Sequence, residues 1–135
     1  YTSLIPNFLV YGVSKALRET GAKKALVVNL INKRGQTTQF KVSNYLQELK
    51  RFVGKDVFDY VLVNSSKVPQ DLIKVYEQEG DLVQNDLKND TRVIAVDLLS
   101  NEVVQSQKAD SLKRSLLRHD SQKLAHELMK IVDSF

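Results

Sequence analysis

A polar loop that follows the first buried strand is the stretch of the sequence best suited to bind an anion. Residues Ala25–Ile31 form an apolar, valine-containing run interrupted only by Asn29, which predicts a central strand of a parallel sheet, buried on both faces. Residues 32–37 then supply two cations, Gly35 and three hydrogen-bonding side chains that include Thr37. Ligands of open α/β sheets bind outside the carboxyl ends of such strands. The loop therefore suits a phosphorylated ligand, with an ordinary solvated loop as the alternative.

Hydroxyl and amide groups recur at the ends of two other predicted elements. Thr2 and Ser3 precede Pro6, which is tolerated in the first turn of a helix. Either hydroxyl would cap that helix or, beside its free N–H groups, help to hold an anion. Asn64 ends a second apolar run, Phe58–Val63, and lies at the same edge as the first loop if the two strands are parallel.

Three more residues have chemistry that a ligand could use. Arg118 precedes the last predicted helix and could make a bidentate contact to phosphate, or it belongs with His119 and Asp120 to a helix cap. Tyr76 is either a core aromatic or a stacking surface for a base or sugar. Asp97 could bind a cation, but a single carboxylate is weak evidence for a metal site.

Strands alternate with helices along the chain, which predicts right-handed crossovers and a single three-layer α/β domain with a mainly parallel sheet over residues 1–135. The other predicted elements are a helix with the apolar spacing Ile5, Leu9, Val13 and Leu17 that ends at Gly21; a helix from its N-cap Ser43 to Val53, closed by Gly54; a helix from Pro69 to Gly80, with Leu72, Ile73 and Tyr76 on one side; a short strand at Asp81–Asn85; a strand at Arg92–Leu99; an exposed loop at Ser100–Asp110; an ambiguous basic stretch at Ser111–Leu117; and a helix from Ser121 to Val132, capped by Asp120, with Leu124, Leu128 and Ile131 facing inward.

Composition limits the class of protein. The 135 residues are 42% hydrophobic and 27% charged, as in ordinary soluble domains. No run approaches the roughly 20 apolar residues of a membrane helix, and no signal peptide is visible, so we expect a cytoplasmic protein. The absence of cysteine excludes thiolate metal sites and cysteine nucleophiles. The net charge of +4 is scattered, which favours a small anionic ligand over nucleic acid, and no membrane partner is expected.

Several of these motifs together resemble the YvcK/CofD-like family. The opening run Tyr1-Thr2-Ser3-Leu4-Ile5-Pro6-Asn7 looks like the family's Y-T-S-[IL]-[IL]-P-N sequence. The resemblance continues through Asn29, the Gly35-x-Thr37 loop, Asp59–Asn64, the helix ending in Tyr76, Asp97-Leu98-Leu99 and Arg118-His119-Asp120. It therefore spans nearly the whole chain.

The resemblance implies a Rossmann-like fold and one of two activities. One branch of the family transfers a phospholactyl group to a deazaflavin in the synthesis of coenzyme F420. The other branch, often labelled gluconeogenesis factors, binds UDP-sugars such as UDP-N-acetylglucosamine and is linked to carbon metabolism, cell shape and envelope synthesis. The opening run and the Arg118–Asp120 triplet resemble this second branch.

Two departures from the family pattern affect the expected function. The family's N-terminal half, with its Gly-Gly-Thr-Gly nucleotide loop, is absent, so the chain looks like the C-terminal portion of a larger domain. The loop Ile31–Thr37 also differs from the family's Met-Thr-Gln-Pro-Gly-Glu-Thr, and Asn44-Tyr45 stand where the family has Asp-His. This loss weakens any catalytic or metal-binding role of the loop.

The leading hypothesis is a non-catalytic bacterial regulatory protein that binds a UDP-sugar at the carboxyl ends of the strands. The residues assigned to the ligand are Thr2, Ser3, Asn29, Gly35, Thr37, Asn64, Tyr76 and Arg118, with no catalytic or metal-binding residue and no cofactor beyond the UDP-sugar. A homo-oligomer is compatible with the sequence, and the regulated protein partner is not identified by it. The alternatives are a phospholactyl transferase, which needs a divalent cation, and an interaction scaffold that binds no nucleotide.

Overall fold

The computed structural model describes residues 1–100 and 117–134, which contain five helices and three strands. None of the described helices has the length and apolar character needed to cross a membrane. The elements in chain order are α1 (Ile5–Phe8), α2 (Val13–Glu19), β1 (Ala25–Val27), α3 (Val42–Val53), β2 (Tyr60–Asn64), α4 (Gln70–Tyr76), β3 (Val93–Val96) and α5 (Ser121–Val132). The predicted loop at Ser100–Asp110 and the stretch Ser111–Leu117 fall almost entirely outside the described residues.

The three strands form a parallel sheet in the order β1-β2-β3, so the expectation of a parallel sheet is confirmed. The prediction that Ala25–Ile31 is the central strand is wrong among the described residues. The strand ends at Val27, and Ala25 at its start is exposed. The central strand is β2, in which Val61 and Leu62 are completely buried, because both of its edges are paired.

Side chains of β2 alternate between two helical layers, which gives the three-layer arrangement. Val61 and Val63 pack into a core shared with α3 and with Ile5 of α1. Leu62 points to the other face and packs with Leu98 and with Ile131 of α5. The predicted inward stripe of the last helix is confirmed, because Leu124 and Leu128 contact this second core. Burial on both faces explains why β2 is apolar without alternation.

A third hydrophobic cluster lies beyond the carboxyl ends of the strands. Its buried members include Val68, Tyr76, Leu99 and Leu117, each from a segment that follows a strand or precedes the last helix. Leu72 and Ile73 of α4 pack against this cluster, which confirms the predicted inner face of that helix. Helix α4 is thereby held against the loops at the carboxyl edge of the sheet, here defined as the edge where β1, β2 and β3 end.

The predicted N-terminal helix is two short helices. The chain breaks at Gly12, whose φ of 87° lies in the left-handed region. Helix α1 already ends at Phe8, so Leu9 is exposed at its C-cap although the helical spacing from Ile5 predicted burial. Thr2 and Ser3 do not cap α1, whose N-cap residue is Leu4 without a side-chain hydrogen bond.

Two of the three cap residues predicted for the longest helices, α3 and α5, are confirmed. Asp120 caps α5, since its carboxylate accepts hydrogen bonds from the backbone N–H groups of Gln122 and Lys123. Gly54 closes α3 in the left-handed conformation, as expected. Ser43 is not the N-cap of α3, because the helix begins one residue earlier and the Ser43 hydroxyl donates to Asp86 at 2.6 Å.

The segment between β1 and α3 is clamped onto the segment that follows α4. The N–H of Asn32 donates to the carbonyl of Asp81 at 2.7 Å, and that of Arg34 donates to Glu79 at 2.8 Å. The predicted strand Asp81–Asn85 is present only as isolated bridges at Leu82 and Gln84, because its partners lie on this irregular segment and not on a strand. The strand predicted at Arg92–Leu99 is likewise shorter, ending at Val96.

Gly80 permits the closest approach in this clamp. A Cβ atom at position 80 would lie 1.8 Å from the carbonyl oxygen of Asn32, a backbone atom that a side-chain rotation cannot move away. We therefore expect Gly80→Ala to lower the free energy of unfolding by about 3 kcal/mol, at the upper end of the usual cost of overpacking. Urea denaturation measures this change.

Gly21→Ala is the matched control, because nothing lies within 4 Å of a Cβ built at Gly21. It should change the free energy of unfolding by less than about 0.5 kcal/mol. Equal stability of the two variants would contradict the close approach at Gly80.

Candidate functional site

Parallel pairing places the ends of all three strands at one edge of the sheet. Asn29 follows β1, Asn64 ends β2 and Asp97 follows β3. The segment 118–120 crosses this edge, because the N–H of Asp120 donates to the carbonyl of Leu98 at 2.8 Å. The predicted residues Asn29, Asn64 and Arg118, which are far apart in the sequence, therefore lie at the same edge.

Two adjoining cavities open at the carboxyl edge. One, of about 400 Å³, is lined by Arg118 and His119 and is called the Arg118 cavity. The other, of about 310 Å³, is lined by Asn64 and Lys67 and is called the Lys67 cavity. Asn29 lines both. No Asp or Glu is found among the described residues that line either cavity, so their side-chain charge is positive.

The side chain of Asn64 is held in hydrogen bonds within the protein. Its Oδ1 accepts from the N–H of Leu98 at 3.0 Å and from the hydroxyl of Ser66 at 2.7 Å. Its Nδ2 donates to the carbonyl of Ser66 at 2.9 Å. Asn64 thus joins the end of β2 to the end of β3, a structural role that the sequence did not indicate. Its contact with a ligand stays a prediction.

Asp97 is paired with a lysine of α5. Its carboxylate accepts from the Lys123 ammonium at 2.6 Å and also from Ser66 and the N–H of Leu99. The Lys123 ammonium, with these other donors, lowers the pKa of Asp97 to about 2. Within residues 1–100 and 117–134 no group of three or more His, Cys, Asp or Glu is placed to bind a metal ion. The suggested cation at Asp97 therefore lacks a ligand set.

A third, larger cavity lies between residues 31–41 and α4. Its volume is about 660 Å³, and Tyr76 forms part of its wall. Tyr76 is buried, and its hydroxyl oxygen accepts a hydrogen bond from the N–H of Leu117 at 3.1 Å. Tyr76 is thus a core aromatic, as one of its two sequence interpretations predicted. It also borders a cavity, and its contact with a ligand stays a prediction.

The loop at residues 32–37 is built around internal hydrogen bonds. Asn32 and Thr37 are buried, with 1% and 2% of their surface exposed, so the solvated-loop alternative does not describe them. The Thr37 hydroxyl oxygen accepts from the N–H of Lys33 at 2.8 Å, and the N–H of Gly35 donates to Thr38. Neither Gly35 nor Thr37 lines any of the three cavities. Gly35 and Thr37 thus hold the loop together, and their contact with a ligand stays a prediction.

Thr2 and Ser3 are exposed and line none of the three cavities. The carbonyl of Ser3 accepts from the Asn7 side chain at 2.6 Å. Helix α1 has four residues, too few to concentrate a helix dipole at an anion site. The structure therefore does not bring Thr2 and Ser3 together with Asn29, Asn64 and Arg118.

His119 is the site residue that sequence reasoning set aside as part of a helix cap. A backbone hydrogen bond with Val28 connects its ring to the end of β1. Its Nε2 is buried without a hydrogen-bond partner in the described structure. Burial lowers the pKa of His119 below its ordinary 6.5. The imidazole is therefore a neutral group that links the first and third strand ends.

Lys67 is the other residue that the site assignment omitted. The sequence offered a signal, because Asn64-Ser65-Ser66-Lys67 is an uninterrupted polar run at the end of a strand. Only the position of Lys67 beside Asn29 in one cavity distinguishes it from other surface lysines.

Removal of the Asn64 side chain should destabilise the fold even without a ligand. Asn64→Ala leaves the N–H groups of Ser66 and Leu98 without their acceptor, so we expect the free energy of unfolding to fall by about 2 kcal/mol. Denaturant unfolding of the variant measures this. Asn89→Ala, in an exposed turn, is the control, and an equally small effect at both positions would contradict the structural role of Asn64.

Acidification should weaken the fold through His119. Its folded pKa lies below 6.5, so between these two values the unfolded chain binds a proton that the folded chain does not. The free energy of unfolding should therefore decrease as the pH falls through that window. His119→Phe should flatten this pH dependence, whereas His126→Phe, at an exposed position on α5, should keep it. If the free energy of unfolding of His119→Phe fell with pH as steeply as that of the wild type, His119 would not be the source of the pH dependence.

Comparison with known proteins places these features in a family. The family model described as 2-phospho-L-lactate transferase CofD matches residues 1–104. A Thermotoga maritima protein that carries a gluconeogenesis-factor name is 38% identical over 132 residues, which cover 97% of this chain and 40% of that protein. The gluconeogenesis factor of Bacillus subtilis is 24% identical over 98% of this chain and 40% of its own length.

Solved structures agree on the fold. A crystal structure of a Bacillus halodurans protein, described as a member of the UPF0052 family, matches with a TM-score of 0.77 and 23% identity over 93% of this chain and 38% of that chain. A second structure from the same organism matches with a TM-score of 0.78, also at 23% identity, over 96% of this chain and 40% of that one. This likeness supports the Rossmann-like α/β fold.

The chain spans about 40% of the length of the Thermotoga maritima and Bacillus subtilis relatives. The family model covers most of the chain, and the relatives that match nearly all of it carry gluconeogenesis-factor names. The resemblance inferred from the sequence motifs is thus confirmed, and the chain belongs to the CofD family.

Proposed function

We propose that this protein binds a nucleotide sugar, with UDP-N-acetylglucosamine as the test ligand, and acts as a non-catalytic regulator of carbon metabolism and of the cell envelope. The observation that carries the binding proposal is the charge at the carboxyl edge. Arg118 and Lys67 line adjoining cavities in which the described lining residues include no acidic side chain. A diphosphate is the part of a nucleotide sugar that such a surface suits.

The other groups at this edge support a diphosphate ligand. Asn29 lines both the cavity of Arg118 and that of Lys67, and its amide can donate to a phosphate oxygen. The guanidinium of Arg118 can donate two parallel hydrogen bonds to one phosphate. The carbonyl of Arg118 accepts a hydrogen bond from the N–H of Ser100 at 3.0 Å, which fixes the backbone that carries the guanidinium. The relatives' gluconeogenesis-factor names support the regulatory part of the proposal.

Truncation of Arg118 should weaken ligand binding strongly. We expect Arg118→Ala to cost about 1.5–3 kcal/mol in calorimetric titrations with UDP-N-acetylglucosamine, the range for hydrogen bonds to charged groups. Arg51→Ala is the matched control. Arg51 lies in the last turn of α3, which runs from the carboxyl end of β1 back to the start of β2, and its side chain is 72% exposed.

An unchanged affinity in Arg118→Ala would disprove the assignment of Arg118 to the diphosphate. The same titration into the longer Thermotoga maritima relative shows how much of the affinity comes from residues outside the matched region. If neither protein binds UDP-N-acetylglucosamine or UDP, the nucleotide-sugar proposal fails and the interaction scaffold remains.

The family model's description favours a second candidate, the transfer of a phospholactyl group to a deazaflavin. The same cationic edge would hold the phosphates of the activated donor. The described residues do not fit the divalent cation that this reaction needs, because Asp97 is paired with Lys123 and no metal-binding group is present among them. Release of nucleotide from an activated phospholactate donor, dependent on added deazaflavin, would establish this reaction.

A further inference from the structure

The largest of these three cavities has no role in the proposal above. It measures about 660 Å³, within the range of small-molecule sites, and lies between residues 31–41 and the helix α4. Its walls are fixed by the backbone clamp from Asn32 to Asp81 and by a hydrogen bond from the Arg34 guanidinium to the carbonyl of Glu77 at 2.9 Å. The cavity is therefore bounded by a rigid loop on one side and by a packed helix on the other.

The charges in the large cavity differ from those at the carboxyl edge. Its described lining residues include two cations, Arg34 and Lys41, and two carboxylates, Glu77 and Asp81. The charges of these four residues balance, whereas the described lining residues of the Arg118 and Lys67 cavities include cations and no acidic side chain. A balanced set of donors and acceptors suits an uncharged group with many hydroxyls, since cations donate to hydroxyl oxygens and carboxylates accept from hydroxyl hydrogens. The same set gives no net attraction to a phosphate.

The large cavity also offers an apolar wall. Leu72 and Tyr76 of α4 face it, and Phe40 lines it from the loop. The hydroxyl of Tyr76 is engaged by the N–H of Leu117, so the ring is held in place. A sugar ring has an apolar face of C–H groups and a rim of hydroxyls, which matches a cavity with one apolar wall and one polar wall.

The large cavity adjoins both smaller ones. Ile31 and Leu117 line it together with the Arg118 cavity, and Val68 and Leu82 line it together with the Lys67 cavity. A ligand that places its diphosphate at the carboxyl edge can therefore extend a neighbouring group past these apolar side chains into the large cavity.

We infer that the cavity between residues 31–41 and α4 is the subsite for the sugar of the nucleotide sugar, while the diphosphate lies at Arg118 and Lys67. This inference rests on the proposed function. It reassigns the loop after β1 from the phosphate to the sugar, and it gives Tyr76 the role of a wall beside the sugar ring.

A variant that fills the cavity tests the inference without changing charge. Leu72→Trp adds bulk from α4 into the cavity, and Val75→Trp adds the same bulk at an exposed position of the same helix. Calorimetric titrations compare UDP-N-acetylglucosamine with UDP, which lacks the sugar. We expect wild type and Val75→Trp to prefer the nucleotide sugar, and Leu72→Trp to weaken its binding about 10-fold while the affinity for UDP is unchanged.

A second variant keeps the test decisive if Leu72→Trp fails to fold. Gln84 is exposed and lines the large cavity opposite α4, so Gln84→Trp fills the space from the other side and should have the same effect. Melting temperatures of all variants verify folding before titration.

Each other outcome overturns the inference. Equal losses for UDP and the nucleotide sugar would place the nucleotide in the large cavity. Unchanged affinities in both filled variants, or a wild type that binds UDP as tightly as the nucleotide sugar, would show that no sugar occupies it, while the proposed function stands. A wild type that binds neither compound would overturn the inference and the proposed function together.

Discussion

The shape of the carboxyl edge depends on the hydrogen bonds of the buried Asn32 amide. Its Oδ1 accepts from the hydroxyl of Tyr45 at 2.8 Å, and its Nδ2 donates to the carbonyl of Phe40 and to the carboxylate of Asp81. Burial raises the pKa of Tyr45 above its ordinary value of 10, so its hydroxyl remains a donor. Because a buried polar group without partners is costly, this network fixes one position for the loop after β1.

The position of that loop determines the cavities beside it. The loop reaches across to the segment after α4, where Gly80 lets the two backbones touch. Helix α4 cannot collapse onto the sheet, because Val68, Tyr76 and Leu117 fill the space at the strand ends. A rigid opening therefore remains between the loop and the helix. Arg34 and Asp81, two of the charged residues around it, belong to hydrogen-bonded backbone.

Segment 118–120 adds a second constraint, because it ties the outer strands together across the end of β2. Its backbone pairs with residues 98–100 after β3, while the His119 ring bonds to Val28 at the end of β1. Asp120 then caps α5, whose Lys123 pairs with Asp97. The triplet recognised as a family motif is thus a structural tie, in which the backbone of Arg118 is held by the hydrogen bond from Ser100.

The sequence alone determined the features that depend on local chemistry. Continuous apolar runs identified the parallel strands, and the helical spacing of Leu124, Leu128 and Ile131 identified the inner face of α5. Asp120 and Gly54 were recognisable as caps because their conformations depend on neighbouring residues. The motifs also identified the family. These signals reach only a few residues along the chain.

Tertiary structure decided which polar residues face a cavity and which serve the fold. Asn32 is buried and its amide bonds partners within the protein, whereas Asn29 has the same side chain but is exposed and lines two cavities. Asn64 does both, because it lines the Lys67 cavity and also joins the ends of β2 and β3. Lys67 and Arg118 line adjoining cavities only because the pairing of β2 with β3, and of segment 118–120 with residues 98–100, brings their segments to one edge. The sequence could not identify the central strand, because β1 and β2 are both apolar. Only the pairing of β2 with both neighbours shows that it is central. Composition cannot distinguish these cases, because a hydrogen-bond donor is satisfied equally well by a ligand or by its own backbone.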